Sequence, residues 1–283
     1  MLVSRTPKRL LDRERTTTTA VVIGDRVRVR PTKDGTGVID EILERDNALL
    51  RGAAGGHRFL DVIAANLDLL VAVHSLREPE FNPARLDRFL LIAEAAEIPA
   101  AVVLNKVDLV PPEEAEPIAA VYRVIGYPVL LTSVKTGAGI DELRCLLEGK
   151  ISALVGPSGV GKSSLLNSIQ PGLRLRTGEI SDATGKGRHT TTTAELLPLA
   201  GGFVADTPGL RELAIREVDP EELYYLFPEF REYIPECRFS NCTHRDEIGC
   251  AVRAAVEEGA IAPSRYRSYR RIYDEVDALA RTY

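Results

Sequence analysis

The stretch that decides the fold is GPSGVGKS, at residues 156–163. It matches the phosphate-loop pattern G-x-x-x-x-G-K-[ST] at every fixed position. The apolar run at residues 151–155 predicts a strand before the loop, and residues 163–169 predict a helix after it. Glycines let backbone N–H groups surround phosphate oxygens, and the N-terminus of a helix favours an anion. The sequence therefore predicts a phosphate site between a strand and a helix.

Each residue type in this loop suits a phosphate ligand. Lys162 is expected to place its charge on the outer phosphates, and the Ser163 hydroxyl is expected to bind Mg²⁺. The candidate phosphate-binding residues are Gly156, Pro157, Ser158, Gly159, Val160, Gly161, Lys162, Ser163 and Ser164.

A candidate guanine-reading element, Asn-Lys-Val-Asp at residues 105–108, precedes the phosphate loop. The Asp108 carboxylate only accepts hydrogen bonds, which suits guanine N1–H and its exocyclic amine. Asn105 can orient the base and Lys106 can lie over its ring, while backbone amides near Ser133 and Val134 can bind the guanine carbonyl. A strand-end turn is the alternative, but the apolar run at residues 100–104 favours a nucleotide loop. The candidate base-binding residues are Asn105, Lys106, Val107, Asp108, Ser133 and Val134.

The elements that would sense the γ-phosphate come last in the chain. Asp206 ends the apolar run at residues 203–205 and is expected to support the metal, and the Gly209 amide is expected to contact the γ-phosphate. Leu210 follows, where Ras-type GTPases carry a water-orienting glutamine. A leucine cannot polarise water, so either hydrolysis is slow or another group does this work.

A loop rich in glycine, serine and threonine offers that other group. His189 is the candidate for orienting or deprotonating water, because histidine ordinarily titrates near neutral pH. The alternative is an exposed loop histidine with no catalytic role. Thr190 or Thr191 is expected to contact the nucleotide site, and Thr191 is our candidate Mg²⁺ ligand when the γ-phosphate is present.

The order of these elements is unusual. The guanine-reading element precedes the phosphate loop, and the switch residues follow it, whereas ordinary small GTPases begin with the phosphate loop. This order is a cyclic shift of the usual one, and such a shift can keep the same sheet when the original ends lie close together.

Three of the four cysteines cluster with a histidine. Cys237, Cys242, His244 and Cys250 offer three thiolates and one imidazole, a closed tetrahedral set that suits structural Zn²⁺. Scattered buried cysteines are the alternative interpretation of this spacing. Cys145 stands apart in a predicted helix and is expected to be a small buried residue.

Composition indicates a globular protein of two or three domains. The 283 residues are 45% apolar and 27% charged, and no apolar run approaches the length of a membrane span. We therefore expect a cytoplasmic protein without membrane contact. The net charge of −5 means that nucleic-acid contacts must come from local basic patches.

The pattern along the chain predicts three regions. Short β-rich runs at residues 20–22, 26–30 and 37–39 suggest a small antiparallel barrel. Alternating strand and helix patterns from about residue 67 predict a parallel sheet covered on both faces. The chain then reaches the cysteine cluster and a closing helix from about Pro263. The arginines of that helix, Arg265, Arg267, Arg270 and Arg271, either hold RNA phosphates or form a solvated face.

Together, the permuted guanine motifs, the Gly-Arg-His-Thr-Thr-Thr stretch at residues 187–192 and the Cys/His spacing resemble one family. This is the circularly permuted ribosome small-subunit-dependent GTPase A. The resemblance implies an N-terminal oligonucleotide-binding (OB-type) barrel at residues 1–62, a permuted α/β phosphate-loop GTPase domain at residues 63–214, and a mainly helical zinc domain at residues 215–283. The barrel is expected to be incomplete, because residues 1–19 are basic and polar and do not resemble its first strands. Val134 stands where the family usually has alanine.

The resemblance also implies a function. It predicts a monomeric GTPase that binds the small ribosomal subunit and its rRNA late in maturation, with GTP, GDP, Mg²⁺ and Zn²⁺ as ligands and with hydrolysis stimulated by the subunit. An RNA-binding assembly factor that uses GTP only as a conformational ligand is the alternative, because of Leu210. A third hypothesis is a permuted GTPase that acts on the large subunit. The barrel-like start and the cysteine cluster argue against it. Asp108 argues against an ATPase or a small-molecule kinase.

Overall fold

The computed structural model describes residues 21–33, 36–52, 60–173, 194–207, 210 and 218–281. The N-terminal part consists of two antiparallel strand pairs: β1 (Val27–Pro31) with β2 (Gly37–Ile42), and β3 (Ala48–Gly52) with β4 (Leu60–Ala65). The Asn66 side chain connects the segments that flank the pairs, because its Nδ2 donates to the Gly24 carbonyl at 2.9 Å and its Oδ1 accepts from the Asp46 amide at 2.9 Å.

The second strand pair was not predicted from the sequence. Residues 26–30 and 37–39 were predicted as strands and fall in β1 and β2, whereas residues 21 and 22 lie outside any strand. In the described ranges each pair forms a separate two-stranded sheet, so these residues alone do not close a barrel. β4 crosses residue 62, where the first domain boundary is predicted, and pairs with β3. The second expected boundary, at residue 214, lies outside the described residues.

A six-stranded sheet forms the centre of the molecule. Its strands are β5 (Leu69–Ser75), β6 (Ala100–Asn105), β7 (Val129–Thr132), β8 (Ile151–Val155), β9 (Glu195–Leu199) and β10 (Gly202–Asp206). They lie in the order β7-β6-β5-β8-β10-β9. Every neighbouring pair is parallel except β9 with β10. The parallel sheet predicted from the alternating pattern is therefore present, with one antiparallel edge strand.

Local signals set the ends of the helices. The helices are α1 (Pro83–Ala95), α2 (Pro112–Ile125), α3 (Ile140–Leu147), α4 (Lys162–Ile169), α5 (Ala251–Glu257) and α6 (Pro263–Arg281). α1 begins where Asn82 accepts a hydrogen bond from the Arg85 amide, with proline at the first helical position. α2 ends at Gly126, which adopts the left-handed conformation that favours glycine.

The sheet is buried on both faces, and alternate residues of β5 show this. Leu70 and Ala72 pack into one apolar cluster with α1 and α2, and Val71 and Val73 pack into another with α3 and α4. The first cluster continues without a break into the C-terminal region, where Phe227, Phe230 and Tyr269 are fully buried. The C-terminal region is therefore packed against the same face of the sheet as α1.

Two expectations about individual side chains were wrong. Cys145 is exposed on α3, because the buried face of that short helix is formed by Ile140, Leu143 and Leu147. Arg265 does not lie on a solvated or RNA-facing surface, because its side chain is only 1% exposed. Among the described residues, no helix has both the length and the apolar character required to cross a lipid bilayer.

Candidate nucleotide site and metal centre

The phosphate loop lies between β8 and α4, as the sequence predicts. Gly156 has a φ of +146°, and a Cβ atom there would lie 2.0 Å from the Val73 carbonyl oxygen. Gly161 has a φ of +97°, and a Cβ atom there would lie 2.4 Å from Asn105 Nδ2. Both positions therefore need glycine for conformation and for space.

Lys162 lies folded over the loop that precedes it. Its Nζ donates to the Gly156 carbonyl at 2.6 Å and to the Pro157 carbonyl at 2.8 Å. Val160 is 1% exposed, so it anchors the loop in the core rather than facing solvent. The other candidate phosphate-binding residues line one side of a cleft of about 1020 Å³, namely Ser158, Gly159, Ser163 and Ser164.

Asn105 connects three loops of the site. Its Nδ2 donates to the Val160 carbonyl at 2.8 Å, and its Oδ1 accepts from Thr132 Oγ1 at 3.0 Å. The side chain is 2% exposed, so these bonds are shielded from water. Lys106, the next residue, has a φ of 61° and donates from Nζ to the Glu78 carbonyl. The structure thus joins the N-K-x-D element to the phosphate loop.

Asp108 faces the loop that follows β7. Ser133 Oγ donates to Asp108 Oδ1 at 2.6 Å, and Lys135 Nζ lies 3.7 Å from Oδ2. The hydrogen bond from Ser133 lowers the pKa of Asp108, so this carboxylate remains an ionised acceptor at neutral pH.

The two amides near Ser133 differ in their availability. The Ser133 N–H donates to the Ala138 carbonyl at 3.0 Å. In the described part of the chain, the Val134 N–H donates to no backbone carbonyl. Val134 therefore offers the better donor to a base, and the residue as a whole is 40% exposed. Val107 is half-buried and packs against the core below the base-reading element.

The switch residues are described only in part. Asp206 lies at the end of β10, beside the phosphate-loop strand β8. Leu210 is 6% exposed and belongs to the core on the α1 face of the sheet. His189, Thr190, Thr191 and Gly209 lie outside the described residues. Asn105 and Asp206 end their strands, and His74 is the penultimate residue of β5, so all three lie at the carboxyl edge of the sheet, where ligands bind in α/β folds.

His74 is a polar residue at the site that sequence reasoning missed. It lies near the end of β5, is 2% exposed, and its Nε2 has no hydrogen-bond partner among the residues that the structure describes. Burial, together with the charges of Lys162 and Arg85, lowers its pKa to about 4. The imidazole is therefore neutral at physiological pH. The available signal was a histidine that interrupts an otherwise apolar strand.

The far side of the phosphate-loop cleft comes from two distant helices. α1 contributes Arg85, Arg88 and Phe89, and α6 contributes Arg271 and Glu275. Arg88 forms an ion pair with Glu275, and so connects α1 to α6 at the edge of the cleft. Sequence reasoning did not place the closing helix at the nucleotide site, because no local pattern records this contact.

A buried ion cluster also fixes α6 against α1. Arg265 NH1 donates to Asp87 Oδ1 at 2.6 Å, and Arg265 Nε donates to Glu229 Oε1 at 2.6 Å. Tyr122 OH donates to the same Asp87 oxygen at 3.0 Å. Burial alone would lower the pKa of Arg265, but the charges of Asp87 and Glu229 raise it. The cluster joins α1, α2, α6 and the 3₁₀ turn at Pro228–Phe230.

The four predicted metal ligands lie together. The ligand atoms of Cys237, Cys242, His244 and Cys250 are all within 4.8 Å of one another. His244 Nδ1 lies 3.4 Å from Cys237 Sγ and 3.5 Å from Cys250 Sγ. Tetrahedral zinc with thiolate ligands requires ligand separations of about 3.8 Å, so the cluster fits such an ion.

The protonation of the cluster also suits a metal. Burial lowers the pKa of His244 to about 4, which keeps a lone pair available at neutral pH. Burial raises the pKa of Cys242 to about 12, so a metal would displace a thiol proton there. Glu247 accepts hydrogen bonds from the Thr243 amide at 2.8 Å and the Arg245 amide at 2.9 Å, which orders the loop that carries His244.

The fold and site together define a circularly permuted phosphate-loop GTPase with a C-terminal cysteine–histidine cluster. The crystal structure of YjeQ from Thermotoga maritima has a TM-score of 0.76 and 41% identity, over 91% of this chain and 84% of that one. The crystal structure of YloQ, a circularly permuted GTPase, has a TM-score of 0.74 and 35% identity, over 92% of this chain and 82% of that one.

Sequence comparisons identify the family. The sequence model of the RsgA GTPase matches residues 42–216. The small ribosomal subunit biogenesis GTPase RsgA of Gemmatimonas aurantiaca is 47% identical, over 90% of this chain and 84% of its own length. The protein of the same name from Moorella thermoacetica is 46% identical, over 97% of this chain and 91% of its own length. The chain belongs to the RsgA GTPase family.

Proposed function

We propose that this protein hydrolyses GTP to GDP and phosphate and acts in the biogenesis of the small ribosomal subunit. The observation that carries the proposal is the Asn105 side chain, which joins the phosphate loop at Val160 to the base-reading loops at Thr132. Family membership supports the same activity, since relatives that match most of this chain are named for it.

In the proposed complex, Asp108 accepts hydrogen bonds from guanine N1–H and the exocyclic amine, and the Val134 amide donates to the guanine carbonyl. Lys162 leaves the carbonyls of Gly156 and Pro157 and moves to the outer phosphates, since charge-assisted bonds to phosphate are stronger than bonds to carbonyls. Ser163, at the start of α4, binds Mg²⁺. The ion would neutralise charge that develops on the phosphates.

Hydrolysis needs a group other than Leu210. That side chain is buried in the core, so it serves packing and cannot orient water. We keep His189 as the proposed water-orienting residue, Thr191 with neighbouring Thr190 as the proposed Mg²⁺ site in the triphosphate state, and Gly209 as the proposed γ-phosphate contact. These three assignments rest on the sequence, since the four residues lie outside the described ranges.

Three further assignments complete the proposal. Zn²⁺ is the ion we assign to the Cys237, Cys242, His244 and Cys250 cluster, because three thiolates and an imidazole form a closed set with no open coordination position. The two N-terminal strand pairs are assigned to an OB-type barrel that contacts rRNA. We propose that the protein works as a monomer in the cytoplasm, where it meets the subunit late in maturation.

A second candidate function follows from the buried Leu210. In it, the protein is an RNA-binding assembly factor for which GTP is only a conformational ligand. Measuring GTP turnover with purified small subunits, with large subunits, and with no subunits separates the two. The proposed function expects stimulation by small subunits alone, and loss of that stimulation in Lys162→Ala. Equal turnover in all three mixtures, with nucleotide-dependent subunit binding retained, would favour the second function.

A further inference from the structure

The metal cluster carries an exposed apolar tip on its solvent side. Two short segments form the tip, one after Cys237 and one before Cys250. The Arg238 amide donates to the Gly249 carbonyl at 3.0 Å, which holds the two segments side by side. Gly249 has a φ of +77°, and a Cβ atom there would lie 3.0 Å from the Arg238 Cβ. The tip is therefore a close-packed pair of segments, each anchored by a candidate metal ligand.

Both segments present a large apolar side chain to solvent. Phe239 is 45% exposed and Ile248 is 77% exposed, although the ligands Cys242 and Cys250 beneath them are buried. Leaving large apolar surface in water is unfavourable, and an aromatic ring held on an ordered loop is typical of a binding contact.

The charge beside the ring favours a nucleic acid. The Arg238 guanidinium carbon lies 5.5 Å from the centre of the Phe239 ring. The described residues contribute no carboxylate to an ion pair with Arg238, whereas Arg245 pairs with Asp274 and Arg270 pairs with Asp246. A ring with an adjacent unneutralised guanidinium matches the base and the phosphate of one nucleotide.

The size of the tip matches one base better than a protein partner. Stable protein interfaces bury about 800 Å² on each partner, and one ring with one isoleucine offers far less than that. A single unpaired base stacks on a single aromatic ring, and the exposed amide of Asn241 lies within the same loop for contact with a base edge.

We propose that Phe239, with Arg238 and Ile248 beside it, stacks on one unpaired base of the RNA in the small ribosomal subunit. The inference rests on the proposed function, because that function supplies the RNA. It also replaces Arg265 as a candidate RNA contact, since that residue is buried in the ion cluster.

The test compares Phe239→Leu, Phe239→Tyr and Phe239→Ala in the full zinc-loaded chain. Binding to purified small subunits is measured with a non-hydrolysable GTP analogue. Stacking on a base is expected to persist in Phe239→Tyr. It is expected to be lost in Phe239→Leu and Phe239→Ala, so these two variants should bind small subunits about 5- to 150-fold more weakly. Val124→Ala is the matched control, because Val124 is 83% exposed on α2, away from the tip.

The outcomes of this binding measurement separate failure of the stacking inference from failure of the proposed function. Unchanged subunit binding by Phe239→Leu overturns the stacking inference. If only Phe239→Ala binds the subunit more weakly, the tip binds a protein surface through apolar contact. The stacking inference is also overturned if Phe239→Tyr loses binding to small subunits as Phe239→Leu does. Failure of the unmodified chain to bind small subunits overturns the proposed function instead. Zinc content and GTP affinity, expected to be unchanged in all variants, exclude misfolding as the cause.

Discussion

At the scale of single residues, we propose that Asp108 determines which base the site accepts. Ser133 holds this carboxylate ionised and oriented at 2.6 Å. Asp108→Asn replaces one acceptor by a donor, so the guanine amine loses its partner while xanthine, which carries a carbonyl there, gains one. We expect affinity for GTP to fall at least about tenfold and affinity for xanthosine triphosphate to rise. A competition titration that shows unchanged GTP affinity would contradict the assignment.

Gly156 is a second residue with a decisive role. Alanine there would place its Cβ 2.0 Å from the Val73 carbonyl, so either the loop or β5 must shift. Such a shift moves the backbone amides away from the phosphates. A hydrogen bond to a charged group contributes about 1.5–3 kcal/mol, so we expect affinity for GDP and GTP to fall at least about tenfold.

The control for this prediction is Gly126→Ala. Gly126 also has a left-handed φ, of +106°, but no atom of the described residues lies within 4 Å of the position that a Cβ would take. Both variants carry the backbone strain of alanine in that conformation, and only Gly156→Ala meets the clash. Isothermal titration with GDP should therefore show weak binding in Gly156→Ala and ordinary binding in Gly126→Ala. Equal affinities would mean that the contact with β5 does not shape the site.

At the scale of secondary-structure elements, Arg265 connects the closing helix to the sheet domain. Arg265→Met leaves Asp87 buried without its charge partner, and losing one partner of a buried pair costs about 3–5 kcal/mol. We expect the free energy of unfolding, measured in urea, to fall by that amount. Arg267→Met, on the exposed side of α6, is the control and should be near neutral.

A double variant separates this charge effect from lost packing. Asp87→Asn combined with Arg265→Met removes both members of the ion pair, so its cost should be smaller than the sum of the two single costs. Additive costs would show that the cluster contributes only packing. In that case α6 would be held by Phe227, Phe230 and Tyr269 rather than by the ion cluster.

At the scale of the whole molecule, the phosphate-loop cleft spans two regions that are distant in sequence. α6 contributes Arg271, Ile272 and Glu275 to the cleft, and Arg88 of α1 is paired with Glu275. If nucleotide binds in this cleft as we propose, its state can bias the position of the C-terminal region. In sequence, the proposed switch after Asp206 is followed by that region, an order that results from the cyclic shift of motifs.

This coupling predicts a change in hydrogen exchange. A GTP analogue with Mg²⁺ should slow amide exchange in the part of α6 around Arg271 and Glu275 relative to the GDP state. α2 should be unchanged, because none of its residues lines the cleft. Glu275→Gln should reduce the difference, since it weakens the link to Arg88. Identical α6 exchange in the two nucleotide states, on and off the ribosome, would rule the coupling out.

Local patterns in the sequence determined the phosphate loop, the N-K-x-D element, the cysteine–histidine cluster and the alternation of strands and helices. These features are short, and their residue types impose a backbone path or a ligand set whatever surrounds them. Glycine at 156 and 161 and the cysteine–histidine spacing could therefore be recognised without any tertiary information.

Only the tertiary structure decided which of these pieces meet. Asn105 reaches Val160 across 55 residues, and Arg265 reaches Asp87 across 178. The tertiary structure also buries Arg265, exposes Cys145, pairs β3 with β4 and places α6 at the phosphate-loop cleft. The physical reason is that burial and pairing depend on which surfaces pack together over long range, and that choice leaves no periodic signal in the residues themselves.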